Sequence, residues 1–223
     1  MDPTESPVTE FIPLAPLAPV FEPVSSSYAF RQEMGARRSV REFAETAVPR
    51  QVFFNAIATA GTAPSGANCQ PWFFALIESA DIKSRIRAEA ERVERAFYEE
   101  KAPKDWLADL KPLGTGPGKA YLTEAPALIA IFTRQRGGGE EDVKSYYPVE
   151  STGIAVGMLI TALHRAGLAT LTHTPRPMHF LTEVLGLDRS HKPFMLVVTG
   201  YPKPGTKVPN IKRKELAEIC SVY

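Results

Sequence analysis

The sequence predicts an α+β fold, a central mixed or antiparallel sheet flanked by helices. Three observations carry this. The apolar runs Ala125–Phe132 (from Leu128 onward) and Phe194–Thr199 have strand length and read as buried strands. Tyr146–Ala166 is apolar over helical length and should be the central core helix, with Val149, Ile154, Ala155, Val156, Met158, Leu159, Ile160 and Leu163 inside. Helical and strand segments follow one another without strict βα alternation, which argues against a doubly wound sheet.

Residues 1–24 hold six prolines and read as an extended N-terminal arm, because proline fixes φ and removes a donor. The remainder, 25–223, reads as a single domain. A polar helical run covers Ser25–Ala36. Pro49 suits the first turn of a helix reaching about Ala60, stopped by Gly61, with Val52, Ile57 and Ala60 on its apolar face. Gly61–Trp72 is a loop of small residues and two prolines, where backbone can approach a flat ligand. A strand follows over Phe73–Glu78.

Ala80–Lys101 reads as a helix dominated by alternating charge, as in Arg87/Glu91 and Glu91/Arg95. It offers little apolar face, so weak attachment is expected. With the Pro- and Gly-rich loop after it, it forms a mobile lid at about 85–120. Gly137–Asp142 reads as a flexible surface turn, and Gly167 stops the core helix. A short strand over Ala169–Thr174 and a helix over Met178–Leu185, stopped by Gly186, come next. A Pro- and Lys-rich C-terminal extension covers about 202–223.

Composition narrows the function classes. Hydrophobic residues make up 44% and charged residues 23%, the profile of a soluble globular protein. The net charge is +1, with 26 Lys and Arg against 25 Asp and Glu, so nothing global points to nucleic acid or an anionic membrane. Cys69 and Cys220 lie far apart without metal-ligand spacing, so neither a disulfide framework nor a metal site is expected. No apolar run approaches the roughly 20 residues of a membrane span. Met1–Glu10 lacks the basic start and apolar core of a signal peptide, which gives a cytoplasmic expectation.

The densest chemistry is Arg37-Arg38-Ser39-Val40-Arg41, with three guanidiniums and a hydroxyl in five residues. Guanidinium forks match phosphate oxygens, and the hydroxyl adds a donor. Taken alone, the pentapeptide reads more readily as a solvated basic helix end. No GxGxxG, Walker, HExxH or GxSxG motif is present.

Together with the Ala63-Pro64-Ser65-Gly66-Ala67 loop ending in Pro71-Trp72, and the Pro209-Asn210-Ile211-Lys212-Arg213-Lys214 tail, this segment strongly resembles the FMN-dependent nitroreductase superfamily. Within it, the chain is similar to the iodotyrosine deiodinase branch, over nearly its whole length from about Phe11. The resemblance implies a nitroreductase-like FMN-binding fold in an intertwined homodimer. It assigns Arg37, Arg38, Ser39, Val40, Arg41 and Arg213 to the FMN phosphate and pyrimidine edge. Pro64, Ser65 and Gly66 become flavin contacts from the other subunit, and the Ala67 backbone a contact to the substrate phenolic oxygen. Thr172, His173 and Thr174 face the flavin, with Thr174 the catalytic hydroxyl donor near N5.

Glu94 and Tyr98, four residues apart, share a helix face, and Lys119 follows the Gly-rich loop. This pattern resembles the deiodinase triad that grips a zwitterion, the carboxylate taking an ammonium and the hydroxyl and ammonium taking a carboxylate. Two departures stand out. Members of the branch mostly carry His-Thr-Glu where this chain has Asn68-Cys69-Gln70, and Thr where it has His173. Cys69 reads best as a small packing residue, and His173 either tunes the flavin or is structural.

The resemblance implies an FMN oxidoreductase that removes halide from halotyrosines, with NADPH or NADH recharging the flavin. The vertebrate enzymes of this branch are membrane-anchored, and this chain reads as a soluble version. The alternatives are a broad nitroreductase or quinone reductase, a flavin-fragmenting enzyme that makes dimethylbenzimidazole, and a flavin-binding sensor or storage module.

Overall fold

The computed structural model describes residues 12–15, 22–134 and 145–223. The expected turn at Gly137–Asp142 and most of the proline-rich arm lie outside the described residues. The chain divides into two compact units, residues 1–35 and 36–223. The first holds nearly all of α1 (Pro23–Ala36), which begins two residues before the expected Ser25 because Pro23 suits a first helical turn. The Ser27 hydroxyl donates back to the Val24 carbonyl at 2.9 Å.

The second unit runs α2 (Arg50–Gly61), β1 (Trp72–Ile77), α3 (Ala80–Ala96), α4 (Lys104–Leu110), α5 (Tyr121–Glu124), β2 (Ala127–Arg134), α6 (Pro148–Arg165), β3 (Ala169–His173), α7 (Phe180–Val184), β4 (His191–Gly200) and α8 (Leu216–Ile219). The strands form one sheet in the order β1-β2-β4-β3, antiparallel at every pairing. The α+β expectation holds, and the sheet is antiparallel rather than mixed.

Alternation along β2 explains why it reads as a continuous apolar run. Leu128, Ala130 and Phe132 face a cluster containing Ile86, Val93, Leu122 and Leu181, from α3, α5 and α7. Ala127, Ile129 and Ile131 face the opposite cluster, with Phe53 of α2 and Val156, Leu159 and Leu163 of α6. A strand covered on both faces has no polar side.

Two expectations are corrected. The charged helix is not weakly attached: Ile86, Ala90 and Val93 of α3 are buried in the core, and Ile82 packs against it. Their spacing with Ile82 (four, four, three) forms an apolar stripe that the charge count conceals. Each large side chain so buried contributes about 1.5–3 kcal/mol. Buried Lys83 donates from Nζ to the Ala125 carbonyl at 2.7 Å, tying α3 to the end of α5. The excursion from the body therefore narrows to Phe97–Gly118, opening with a single π-helical turn over Phe97–Lys101. The second correction concerns α6, where Ala155, Val156, Leu159 and Leu163 are buried but Val149 and Ile154 are 57% and 48% exposed. Ile154 lies off the buried stripe, and Val149 sits in the first turn, ahead of it.

Candidate active site

The arginine segment runs alongside the edge strand β3. The Val40 N–H donates to the Thr170 carbonyl at 3.1 Å, and Ser39 forms an isolated parallel bridge with Thr170. Val40's side chain is buried in the core, so its contribution is to anchor the segment rather than to present a side chain. Along β3, Leu171 and His173 turn inward while Thr172 faces out, as does Thr174 just after the strand.

Two of the cavities along this seam gather the arginines and the residues after them. The smaller, about 180 Å³, is lined by Arg37, Arg38, Ser39, Arg41 and Arg213, with Pro209 and Ile211 from the tail. Two contacts tie tail and segment together: Arg38 Nη2 donates to the Pro209 carbonyl, and Arg213 Nη2 donates to the Arg37 carbonyl at 2.7 Å. Burial, and then the charges of Arg213 and Arg38, push the Arg37 guanidinium below its ordinary value. The larger cavity, about 620 Å³, shares Arg41 with the first. Thr172, His173 and Thr174 line one part of it, and Glu94, Tyr98 and Lys119 another.

Lys119 folds back onto α3. Its Nζ pairs with Glu94 Oε2 at 2.9 Å, donates to the Gly116 carbonyl at 2.6 Å, and lies 5.6 Å from the centre of the Tyr98 ring. The Tyr98 hydroxyl donates to Thr115 Oγ1 at 2.9 Å. The residues chosen for zwitterion recognition thus meet, with Lys119 and Glu94 partnering each other.

The inward His173 shares a 3.3 Å hydrogen bond between its Nδ1 and the Tyr121 hydroxyl, while its Nε2 is buried without a partner in the described structure. Burial, aided by the Lys119 charge, lowers its pKa to about 3, so the imidazole is neutral. Burial, then the charge of Glu94, raises the Tyr121 phenol and keeps it protonated.

Pro64, Ser65, Gly66 and Ala67 line neither cavity. Their loop is unusual: Ala67, Asn68 and Gln70 all adopt left-handed φ, near +50°. Such backbone is disfavoured for residues with side chains and persists where surrounding contacts enforce it. Ser65 Oγ accepts from the Gln70 N–H at 2.9 Å. A Cβ on Gly66 would sit 2.9 Å from the Tyr146 carbonyl oxygen, so close approach of Tyr146 requires glycine there.

Tyr121, Arg176 and Trp106 also face the larger cavity, and the sequence reading passed over them. Available signals were Tyr121 two places beyond Lys119, Arg176 two beyond Thr174, and Trp106 as the one tryptophan of a largely polar excursion. Trp106 packs edge-on to Phe97 with ring centres 5.0 Å apart. Among the described residues no His, Cys, Asp and Glu cluster could hold a metal, and no helix is long and apolar enough to cross a membrane.

Residues 34–201 match the model of the nitroreductase family. Iodotyrosine deiodinase of Haliscomenobacter hydrossis is 44% identical over 218 residues, covering 96% of this chain and 97% of the relative. Human iodotyrosine deiodinase 1 is 41% identical over 204 residues, covering 90% of this chain and 71% of the relative. Among solved structures, oxidized iodotyrosine deiodinase bound to FMN and 3-iodo-L-tyrosine superposes with a TM-score of 0.74 at 28% identity, over 84% of this chain and 96% of that one. An arginine segment paired along an edge strand, and a cavity roofed by a returning lysine, stand in a chain with relatives this close; it belongs to the nitroreductase family, in the iodotyrosine deiodinase branch.

Proposed function

We propose that the protein is an FMN-dependent oxidoreductase that reductively removes halide from iodotyrosine-like substrates, with NADH or NADPH as ultimate reductant. The observation that carries this reading is the meeting of Glu94, Tyr98 and Lys119 with Thr172, His173 and Thr174 around one cavity.

The residues present fit FMN. Four arginines and Ser39 around the smaller cavity match a phosphate in charge and in donor type. An anion among them would relieve the crowding of Arg37 by its cationic neighbours. When bound and reduced, FMN supplies two electrons that, with one proton, replace a carbon–iodine bond by carbon–hydrogen and release iodide.

The rest is the chain's own work. Arg37, Arg38, Ser39, Arg41 and Arg213 hold the phosphate and pyrimidine edge, with Val40 fixing their register on Thr170. Thr174 donates its hydroxyl hydrogen bond toward the flavin N5. Glu94 accepts the substrate ammonium, while the Tyr98 hydroxyl and the Lys119 ammonium receive the carboxylate. The Glu94–Lys119 pair then exchanges its mutual contact for the two ends of a zwitterion, and no buried charge is left alone. A bare halophenol offers no such exchange.

The site is completed by a second copy. Pro64, Ser65 and Gly66 of that copy contact the flavin, and its Ala67 N–H holds the phenolic oxygen. Two features support a homodimer: the loop lines neither cavity of its own chain, and Tyr146, Val149 and Ile154 stand exposed. The arm of residues 1–24 and the extension at about 202–223, with Leu216 and Ile219 exposed, wrap the partner. The excursion over Phe97–Gly118 is the lid of the site.

The test is iodide release from 3-iodotyrosine and 2-iodophenol by the dithionite-reduced, FMN-loaded protein. Release from iodotyrosine well above that from iodophenol is expected. Equal release from both would make it a broad reductase. No release from either, with FMN bound, would make it a binding module.

A further inference from the structure

Lys119 is held twice, and the two holds differ in kind. Its ammonium faces the cavity and pairs with Glu94. Its main chain is gripped from outside the cavity: the Lys119 N–H donates to Glu91 Oε1 at 2.8 Å. The same oxygen accepts from Arg87 Nε at 2.7 Å. Arg87 Nη1 donates to Thr123 Oγ1 at 2.8 Å, and the Thr123 hydroxyl donates to the Ala120 carbonyl at 3.0 Å. A closed ring, three of its four hydrogen bonds charge-assisted through Glu91 or Arg87, thus fastens the start of α5 to α3, where the Phe97–Gly118 excursion rejoins the body.

Helix spacing makes this possible. Arg87, Glu91, Glu94 and Tyr98 follow one another at intervals of four, three and four, which aligns them on one face. The two upper members line the cavity and Glu91 does not. Burial disfavours the Glu91 charge, but the Lys119 N–H and Arg87 outweigh it and hold the carboxyl below its ordinary value. Glu91 is therefore ionised at neutral pH and accepts strongly.

We propose that Glu91 is a positioning residue for substrate selection: by fixing the Lys119 main chain, it aims the Lys119 ammonium at the amino-acid end of the ligand. It acts on the zwitterion through Lys119 and has no part in holding the flavin or the aryl ring. The inference rests on the reading of Glu94, Tyr98 and Lys119 as the zwitterion site.

The test uses the FMN-loaded full chain as Glu91→Ala and Glu91→Gln, titrated by flavin fluorescence with 3-iodotyrosine and with 2-iodophenol. FMN affinity and melting temperature are measured alongside. Glu91→Ala should weaken iodotyrosine binding by about ten-fold or more, the effect of losing one charge-assisted bond. Iodophenol and FMN affinities should change less than about two-fold. Glu91→Gln, which keeps a carbonyl acceptor for the Lys119 N–H, should recover most of the loss. Unchanged iodotyrosine binding by Glu91→Ala, while the parent still prefers iodotyrosine, would overturn the role of Glu91 alone. So would a Glu91→Ala protein that loses both ligands and FMN alike while Glu91→Gln does no better, since that marks a general structural role. A parent that binds both ligands equally would instead overturn the zwitterion site itself.

Discussion

Lys119 Nζ and Glu94 Oε2 lie 2.9 Å apart, with their side chains only 6% and 15% exposed. Two charges so shielded from water are tolerable as a pair and costly singly, because the survivor of a broken pair loses its partner without regaining its hydration.

Glu94→Gln and Lys119→Gln should therefore each destabilise the fold, by up to about 3 kcal/mol. The double substitution should recover most of that loss. Iodotyrosine binding should fall in all three proteins. Urea unfolding of the set decides the point: a double variant no more stable than the singles would mean that the pair is not coupled.

His173 makes stability depend on acid. Its pKa is about 3 in the folded protein against an ordinary 6.5, so between these values the unfolded chain binds more protons. The stability difference in favour of the folded state is thus fully present above about pH 6.5 and is lost as pH falls toward 3. Relative to His173→Gln, the parent should lose up to about 1.4 kcal/mol per pH unit over that window. Urea midpoints of both proteins at pH 7, 6 and 5 test this, and parallel curves would refute it.

Arg38→Ala should weaken FMN binding by about 1.5–3 kcal/mol, since it removes a charge-assisted donor and frees the tail at Pro209. Raising salt should weaken the parent more than the variant, because fewer phosphate contacts remain to be screened. Equilibrium dialysis of free FMN at low and high salt gives both numbers, and equal affinities would remove Arg38 from the phosphate site.

Val149→Asp with Ile154→Asp should produce a monomer. Both side chains are exposed in the single chain, so folding should change by less than about 0.5 kcal/mol each. The monomer should also bind FMN poorly, having lost the partner's loop. Sedimentation with flavin absorbance follows mass and cofactor together, and a dimer, or a monomer that keeps its flavin, would contradict the shared site.

What could be read from the sequence was chemistry compressed into short segments. Arg37 to Arg41, the four-residue step from Glu94 to Tyr98, and the Thr172–Thr174 turn are local patterns, and the fold brings them to adjoining cavities. What escaped were features that depend on position within an element or on the return of a distant segment. The anchorage of α3 was hidden because composition reports charges while burial follows the Ile82, Ile86, Ala90, Val93 stripe. The exposure of Ile154 was hidden because an apolar residue on a helix carries no mark of which neighbour will cover it. Arg176 and Tyr121 meet the site only through the turn after β3 and the return into α5.

The excursion over Phe97–Gly118 leaves the body beside Glu94 and re-enters it at Lys119, and those two residues touch. Its ends are joined by side chains that belong to the body, so the ring is closed before the loop itself contributes anything. Closing a loop twice as long would then cost only about 0.6 kcal/mol more. The segment behaves as an exchangeable cassette: its length and contents can drift while the sheet, the arginine segment and the flavin chemistry stay constant. In such an architecture, new substrates are reached by rewriting about twenty surface residues rather than the catalyst.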